Sequence, residues 1–197
     1  MKKNWMILPA LVLAATLVLM GCDEDKGKLT VVFDLAENEA FQNLAEGTKD
    51  ANLIDVIPIR EASGAGAEMY THANFEVVKV NNKNAIQTTV ITNWAGFDLN
   101  IDDLKLRAGD KIEIKGTLTK AGTGETKVFL NLEHAGMKEL DGWNPVIEED
   151  EDFEKEFKLT SADISNIKSA NPKAIRVRTN QAGAVFVVSH LKITGLR

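Results

Sequence analysis

The sequence predicts an all-β fold, a single antiparallel β-sandwich that follows an N-terminal export segment. From Leu29 onward, apolar residues recur at every second position in short runs, the period of a strand with one face buried. Clusters of Gly, Asn and Asp separate these runs, and helical patterns of about 10 to 15 residues are missing between them, which favours an antiparallel sandwich over a parallel α/β sheet. A length of 197 residues suits one core, since a domain commonly takes roughly 100 to 200 residues. The composition, 44% hydrophobic and 26% charged, is that of an ordinary globular chain.

Lys2 and Lys3 open the chain, Trp5 to Met20 is almost wholly apolar, and Leu19-Met20-Gly21-Cys22 closes the run. A stretch of about 15 apolar residues is shorter than the ~20 that a membrane-spanning helix needs, and it fits a secretory signal. Leu three positions before the chain's one cysteine, with a small residue just before it, resembles the lipobox of a bacterial lipoprotein; Met20 is bulkier than the residue usual there. The resemblance implies that residues 1–21 are removed, that the Cys22 thiol receives a diacylglycerol, and that the chain is held to a bacterial membrane facing outside the cytoplasm. Each buried methylene contributes about 0.8 kcal/mol, so a multi-chain anchor holds without a spanning helix. Residues 22–28 then form the lipidated cysteine and a polar tether. Residues 29–67 supply strands and a short helix that either complete the sandwich or form an appendage, and residues 68–197 form the sandwich proper.

Within residues 29–67, Ala40, Phe41 and Leu44 stand at helical spacing in Glu37 to Glu46, ahead of Gly47. Strands are expected at Phe75 to Val80, Ala85 to Ile91 and Phe97 to Ile101. Asn81-Asn82-Lys83-Asn84 reads as the turn between the first two, because Asn tolerates positive φ. Lys111 to Thr119 alternates strictly, with Gly116 in its inward phase marking a bulge or a close backbone approach. Lys127 to Glu133 places Val128, Leu130 and Leu132 on one side. Phe153 to Leu159, Ile175 to Thr179 and Val185 to Thr194 complete the strands, and Ser161 to Ile167 is a short helical turn.

Trp94-Ala95-Gly96-Phe97-Asp98-Leu99 precedes Leu106-Arg107-Ala108-Gly109-Asp110-Lys111-Ile112-Glu113-Ile114. A loop carrying Trp143 follows, and then Phe153 to Phe157 and the paired runs from Ile175 and Val185. Over residues 68 to 195 this arrangement resembles the jelly-roll, galactose-binding-like carbohydrate-binding modules found beside xylanases. The resemblance implies that fold and a non-catalytic, sugar-binding role. Those modules end in a run in which an Asp helps to hold a structural calcium; here Ser189 and His190 occupy the corresponding place. Calcium takes six to eight oxygen ligands, so the loss of these carboxylates speaks against the metal, and no cofactor is expected. The single tyrosine, Tyr70, also departs from clefts of this type, which use several exposed rings.

Sugar rings offer C–H faces to aromatic planes and hydroxyls to polar side chains. Trp143, in the turn-rich Asp141-Gly142-Trp143-Asn144-Pro145, is either an exposed platform or a plug at one end of the sandwich. Trp94 is expected in the core. Phe129, Asn131 and Glu133 share the outward phase of one strand, and Arg176 and Arg178 that of another. These six, Trp143 with the five outward residues, are the candidate ligand contacts. The plainer alternative roofs Phe129 with the loop around Trp143 and leaves the arginines to solubilise an outer face.

Several functions are excluded or disfavoured. A net charge of −6 argues against a nucleic-acid partner. One cysteine allows no internal disulfide, and His72 and His134 have no partner at metal-ligand spacing. Glu148 to Asp152 lacks the spaced ligands of a calcium loop and reads as a solvated charged loop. Nothing picks out a catalytic pair among the acids. The expected partners are therefore a polysaccharide or other extracellular ligand and, through the lipid, a membrane. The main rival is an envelope lipoprotein with a protein-interaction or structural role. A groove exposing Phe129 or Trp143 favours the first, and burial of both rings favours the second.

Overall fold

The computed structural model describes residues 27–62, 72–133, 138–169 and 173–197. The signal segment, Cys22, Tyr70 and His134 lie outside the described residues. Among the described residues eleven strands form two antiparallel sheets, and the chain is an antiparallel β-sandwich. The strands are β1 (Leu29–Asp34), β2 (Ile59–Ala62), β3 (Ala73–Val80), β4 (Lys83–Val90), β5 (Gly96–Asn100) and β6 (Lys111–Lys120). They continue with β7 (Val128–Glu133), β8 (Lys138–Glu139), β9 (Glu151–Lys158), β10 (Ala174–Thr179) and β11 (Val185–Leu196). One sheet runs β3-β4-β11-β6-β9, with β1 also on β11; the other runs β2-β5-β10-β7-β8. Residues 29–62 thus give a strand to each sheet.

Apolar positions of the two sheets meet in one core. Ile112, Ile114 and Leu118 of β6 face Phe97 and Leu99 of β5 and Val177 of β10, all buried. Phe97 and Phe186 stack across the gap with ring centroids 6.4 Å apart. In β11 the inward phase changes from Phe186 and Val188 to Leu191 and Ile193, and the register shifts between Val188 and His190. That bulge keeps His190 and Lys192 out of the core. Asn81 and Asn82 both adopt positive φ between β3 and β4, as expected of a tight hairpin.

The outer face of the six-stranded sheet is a ladder of charges. Lys111 pairs with Glu156 at 2.7 Å, Lys115 with Glu154 at 2.6 Å, and Lys192 with Asp34 at 3.0 Å. The first two pairs, exposed, add little stability, but they guard the β9 edge against pairing with another chain.

The expected helix over Glu37 to Glu46 is divided. A 3-10 turn, Leu35–Glu37, ends at Asn38, whose Oδ1 accepts the Phe41 N–H at 3.0 Å and starts a separate helix α1, Glu39–Gln42. Asn38 is extended, with φ −76° and ψ 98°, so the helical path cannot run through it. A second short helix α2 covers Ala51–Ile54, and α3 covers Ser161–Ser169. At α3, Asp163 and Thr160 cap one another: the Thr160 N–H donates to Asp163 Oδ2 at 2.8 Å and the Asp163 N–H to Thr160 Oγ1 at 3.1 Å.

Gly116 is a point of close approach. A Cβ there would run into the Val187 carbonyl oxygen of the neighbouring strand and the Phe153 ring. Phe153 in turn packs against Trp143, with centroids 6.2 Å apart. Gly116→Ala is therefore expected to lower stability by about 1–3 kcal/mol, read as a lower urea midpoint at unchanged m-value.

Asp110, 1% exposed, closes the start of β6 against the chain's last residue. Its carboxylate takes Arg197 Nη1 at 2.8 Å and Nη2 at 2.9 Å, and the Arg107 N–H at 2.8 Å. Burial by itself raises the Asp110 carboxyl, but the hydrogen bonds from Arg197 and Arg107 and the charges of both outweigh it, holding the group below its ordinary value of 3.8. A depressed carboxylate stabilises the fold fully above its unfolded value, and the contribution disappears as pH falls through the lower folded value. The stability gap between wild type and Asp110→Asn is expected to be complete above about pH 5 and to close on acidification, measured as urea midpoints.

Candidate functional site

The five-stranded sheet turns one face to the core and the other away from it. On the second face, cross-strand pairing sets two rows. Asp98, Arg176 and Asn131 are Cα partners across β5, β10 and β7, and Gly96, Arg178 and Phe129 form the next row. The period-two pattern of Ile175-Arg176-Val177-Arg178 places both arginines here, since Ile175 and Val177 fill the core.

This face is covered, which differs from the open face expected of a binding groove or of solubilising arginines. Asp98 is 1% exposed, Arg176 5%, Asn131 0%, Arg178 7% and Phe129 3%. The physical reason is partnership. Arg176 donates from Nε to Asp98 Oδ1 at 2.7 Å and from Nη2 to Asp98 Oδ2 at 2.9 Å, a bidentate pair that compensates two desolvated charges. Arg178 Nε donates to Asn131 Oδ1 at 3.2 Å, and the guanidinium lies over two rings, 5.1 Å from the Trp94 centroid and 5.5 Å from that of Phe129. Asn131 Nδ2 finds no acceptor among the described residues.

Trp94 stands apart from the core. Expected in the core, it is 50% exposed. Its φ is +66°, rare for a bulky residue and costly unless its surroundings enforce it. Two bonds do so. Asn93 Oδ1 accepts the Ala182 N–H at 2.8 Å, and the Ala95 carbonyl accepts the Thr179 N–H at 3.1 Å, clamping the turn to the β10–β11 connection. Gly96 completes it, because a Cβ there would meet the Val177 carbonyl and the Arg178 Cα. The indole is thus lifted out of the sandwich and laid over Arg178 and Phe129, whose ring centroid is 5.3 Å from its own. Phe129, buried, has the Trp94 ring and the Arg178 guanidinium against its own ring.

Trp143 is not an exposed platform. It follows a 3-10 turn, Leu140–Gly142, and packs edge-on to Phe157 at 5.9 Å and against Phe153 at 6.2 Å, beside the core and away from Trp94. It is half-buried, a plug at the β9 side of the sandwich. Glu133 stands on β7 opposite Ala174, in line with the candidate face, and its side chain lies outside the described residues. Of the six candidates the structure therefore gathers Phe129, Asn131, Arg176 and Arg178, and sets Trp143 apart.

The polar residues at the end of the sandwich and in the acidic stretch contact their own neighbours. Ser189 Oγ donates to the Lys115 carbonyl at 3.4 Å, and His190 Nε2 lies 3.5 Å from Glu113 Oε2. In the acidic stretch Glu149 Oε2 accepts the Ala121 N–H at 3.0 Å, Asp152 Oδ1 the Thr117 hydroxyl at 2.6 Å, and Glu151 Oε2 the Glu148 N–H at 2.8 Å. Among the described residues no group of three or more His, Cys, Asp or Glu side chains is placed to hold a metal ion.

Two antiparallel sheets, ordered β3-β4-β11-β6-β9 and β2-β5-β10-β7-β8 and packed on one core, form a jelly-roll β-sandwich of the carbohydrate-binding-module type in fold. The solved structures similar to it agree. The CBM22-1 xylan-binding domain from Paenibacillus barcinonensis Xyn10C superposes with a TM-score of 0.54 at 12% identity, over 85% of this chain and 94% of that one. The CBM22-1-CBM22-2 tandem from the same protein gives 0.53 at 13% identity, over 85% of this chain and 46% of the tandem. No protein-family model and no curated protein matches the sequence. The shared property is the fold.

Proposed function

We propose that the chain is a lipid-anchored, extracytoplasmic protein that binds a polysaccharide without catalysis, with Trp94 as its stacking surface. The exposed indole of Trp94 carries this reading. A strained φ, a double hydrogen-bond clamp and a guanidinium packed beneath the ring are needless for a residue that merely fills space, and they suit a platform held rigid for a ligand. Support also comes from the fold shared with a xylan-binding domain, which makes xylan the first ligand to try. The mechanism is capture: the indole covers the C–H face of one sugar ring while flanking polar groups take its hydroxyls. A single ring gives weak binding, strengthened when many chains on one surface hold one polymer.

In this reading residues 1–21 are the export signal, Cys22 carries the lipid and residues 22–28 are the tether. Affinity electrophoresis through gels containing xylan tests the sugar part: wild type is expected to be retarded, and Trp94→Ala to run as in a gel without polysaccharide. Labelled palmitate incorporated in cells and lost in Cys22→Ala tests the anchor.

A second reading, an envelope lipoprotein that binds another protein, is favoured by the burial of Phe129 and by the packing of Trp143. It expects Trp94 at a protein interface and mobility unchanged by any polysaccharide.

A further inference from the structure

Three of the large apolar side chains exposed to solvent gather at one corner: Leu29 is 65% exposed, Val31 52% and Leu196 63%. Leu29 and Leu196 are direct partners across β1 and β11, and Val31 is opposite Thr194, so the three share the outer face of the six-stranded sheet. Further in, the same face becomes the ion-pair ladder that begins with Lys111–Glu156 and Lys192–Asp34. Leu29, Val31 and Leu196 are thus an apolar cap on an otherwise charged surface.

We infer that this corner is a footing that rests on the lipid surface, and that it stands the sandwich upright with Trp94 at the far end. The inference rests on the lipid-anchored reading of Cys22. The Arg197 N–H donates to the Lys28 carbonyl at 3.0 Å, so the chain is fastened to the body from Lys28 onward. The stretch from Cys22 to Lys28 then spans at most about 20 Å. Acyl chains on Cys22 therefore hold the bilayer within about 20 Å of this corner, where the described chain begins, and apolar side chains beside charged ones suit the boundary between headgroups and acyl chains. The Trp94 turn is clamped to residues 179 and 182, just before β11 begins at Val185, whereas Leu196 ends that strand. A strand of that length runs about 35 Å, so seating the corner directs the indole away from the membrane.

The test uses the full chain, processed in a bacterial host and reconstituted in vesicles of phosphatidylethanolamine and phosphatidylglycerol that carry a diazirine near the acyl carbonyl. After photolysis, mass spectrometry maps the label. Label in the peptides of residues 27–34 and 191–197, and none in residues 91–95, is the expected result; the Leu29→Asp/Leu196→Asp double variant, equally lipidated, is expected to lose it. Label confined to the lipidated N-terminal residues, or label reaching residues 91–95, overturns the footing while the anchor stands. A Cys22 peptide of unmodified mass overturns the anchor and the footing with it.

Discussion

Replacing Asp98 by Ala is expected to lower stability by about 3–5 kcal/mol, among the largest effects open to a single polar substitution in this chain. Arg176 would keep its charge at 5% exposure and lose the carboxylate that binds it at 2.7 and 2.9 Å. For a chain of this length the loss corresponds to a fall of about 10 °C in Tm. Arg176→Met in the same background removes that buried charge. Because a buried ion pair replaced by apolar groups of similar volume is often neutral, the Asp98→Leu/Arg176→Met double variant is expected to recover most of the loss. A double variant as unstable as Asp98→Ala would mean that the pair serves more than its own desolvation. Urea unfolding of the four proteins decides it.

Trp94→Ala is expected to weaken polysaccharide binding by about 30-fold, or about 2 kcal/mol, as expected for removal of the central aromatic of a small site. Stability should fall by about 1–2 kcal/mol, because the ring covers Phe129 and lies over Arg178, and Ala keeps the same unfavourable φ of +66°. Trp94→Gly provides the control: glycine accepts that conformation freely, so it should be more stable than Trp94→Ala and equally poor in binding. Trp143→Ala should behave in the opposite way, losing about 3 kcal/mol with its Phe153 and Phe157 contacts while binding survives in the folded fraction. Titration of each variant with soluble xylan fragments, beside its thermal melt, separates ring from plug.

Alternation made the strands legible. Lys111 to Thr119, Ile175 to Thr179 and the rest appear within a few residues of their expected limits, because a half-buried sheet imposes its period on side-chain polarity. Strands β2 and β8 carried no such signal: four residues reading Ile-Arg-Glu-Ala and two reading Lys-Glu are too short for a period to show. The same alternation named the face on which Phe129, Asn131, Arg176 and Arg178 stand, but it tells direction and not cover. Burial of the two arginines depends on Asp98 and Asn131 arriving from other strands and on Trp94 from the turn before β5. Trp94 itself was legible only as a tryptophan beside Asn93 and Gly96, a turn setting. Whether such an indole enters the core or leaves it is decided by the sign of its φ, which the clamp to residues 179 and 182 enforces from far along the chain.

A panel of immobilised plant and microbial polysaccharides, probed with the soluble chain that begins at Asp23, tests the capture of sugar polymers most directly. Retention on at least one polymer, xylan first among them, released by the free oligosaccharide and lost in Trp94→Ala, is the predicted result. A folded wild-type chain that washes off every polymer as readily as Trp94→Ala does would contradict it.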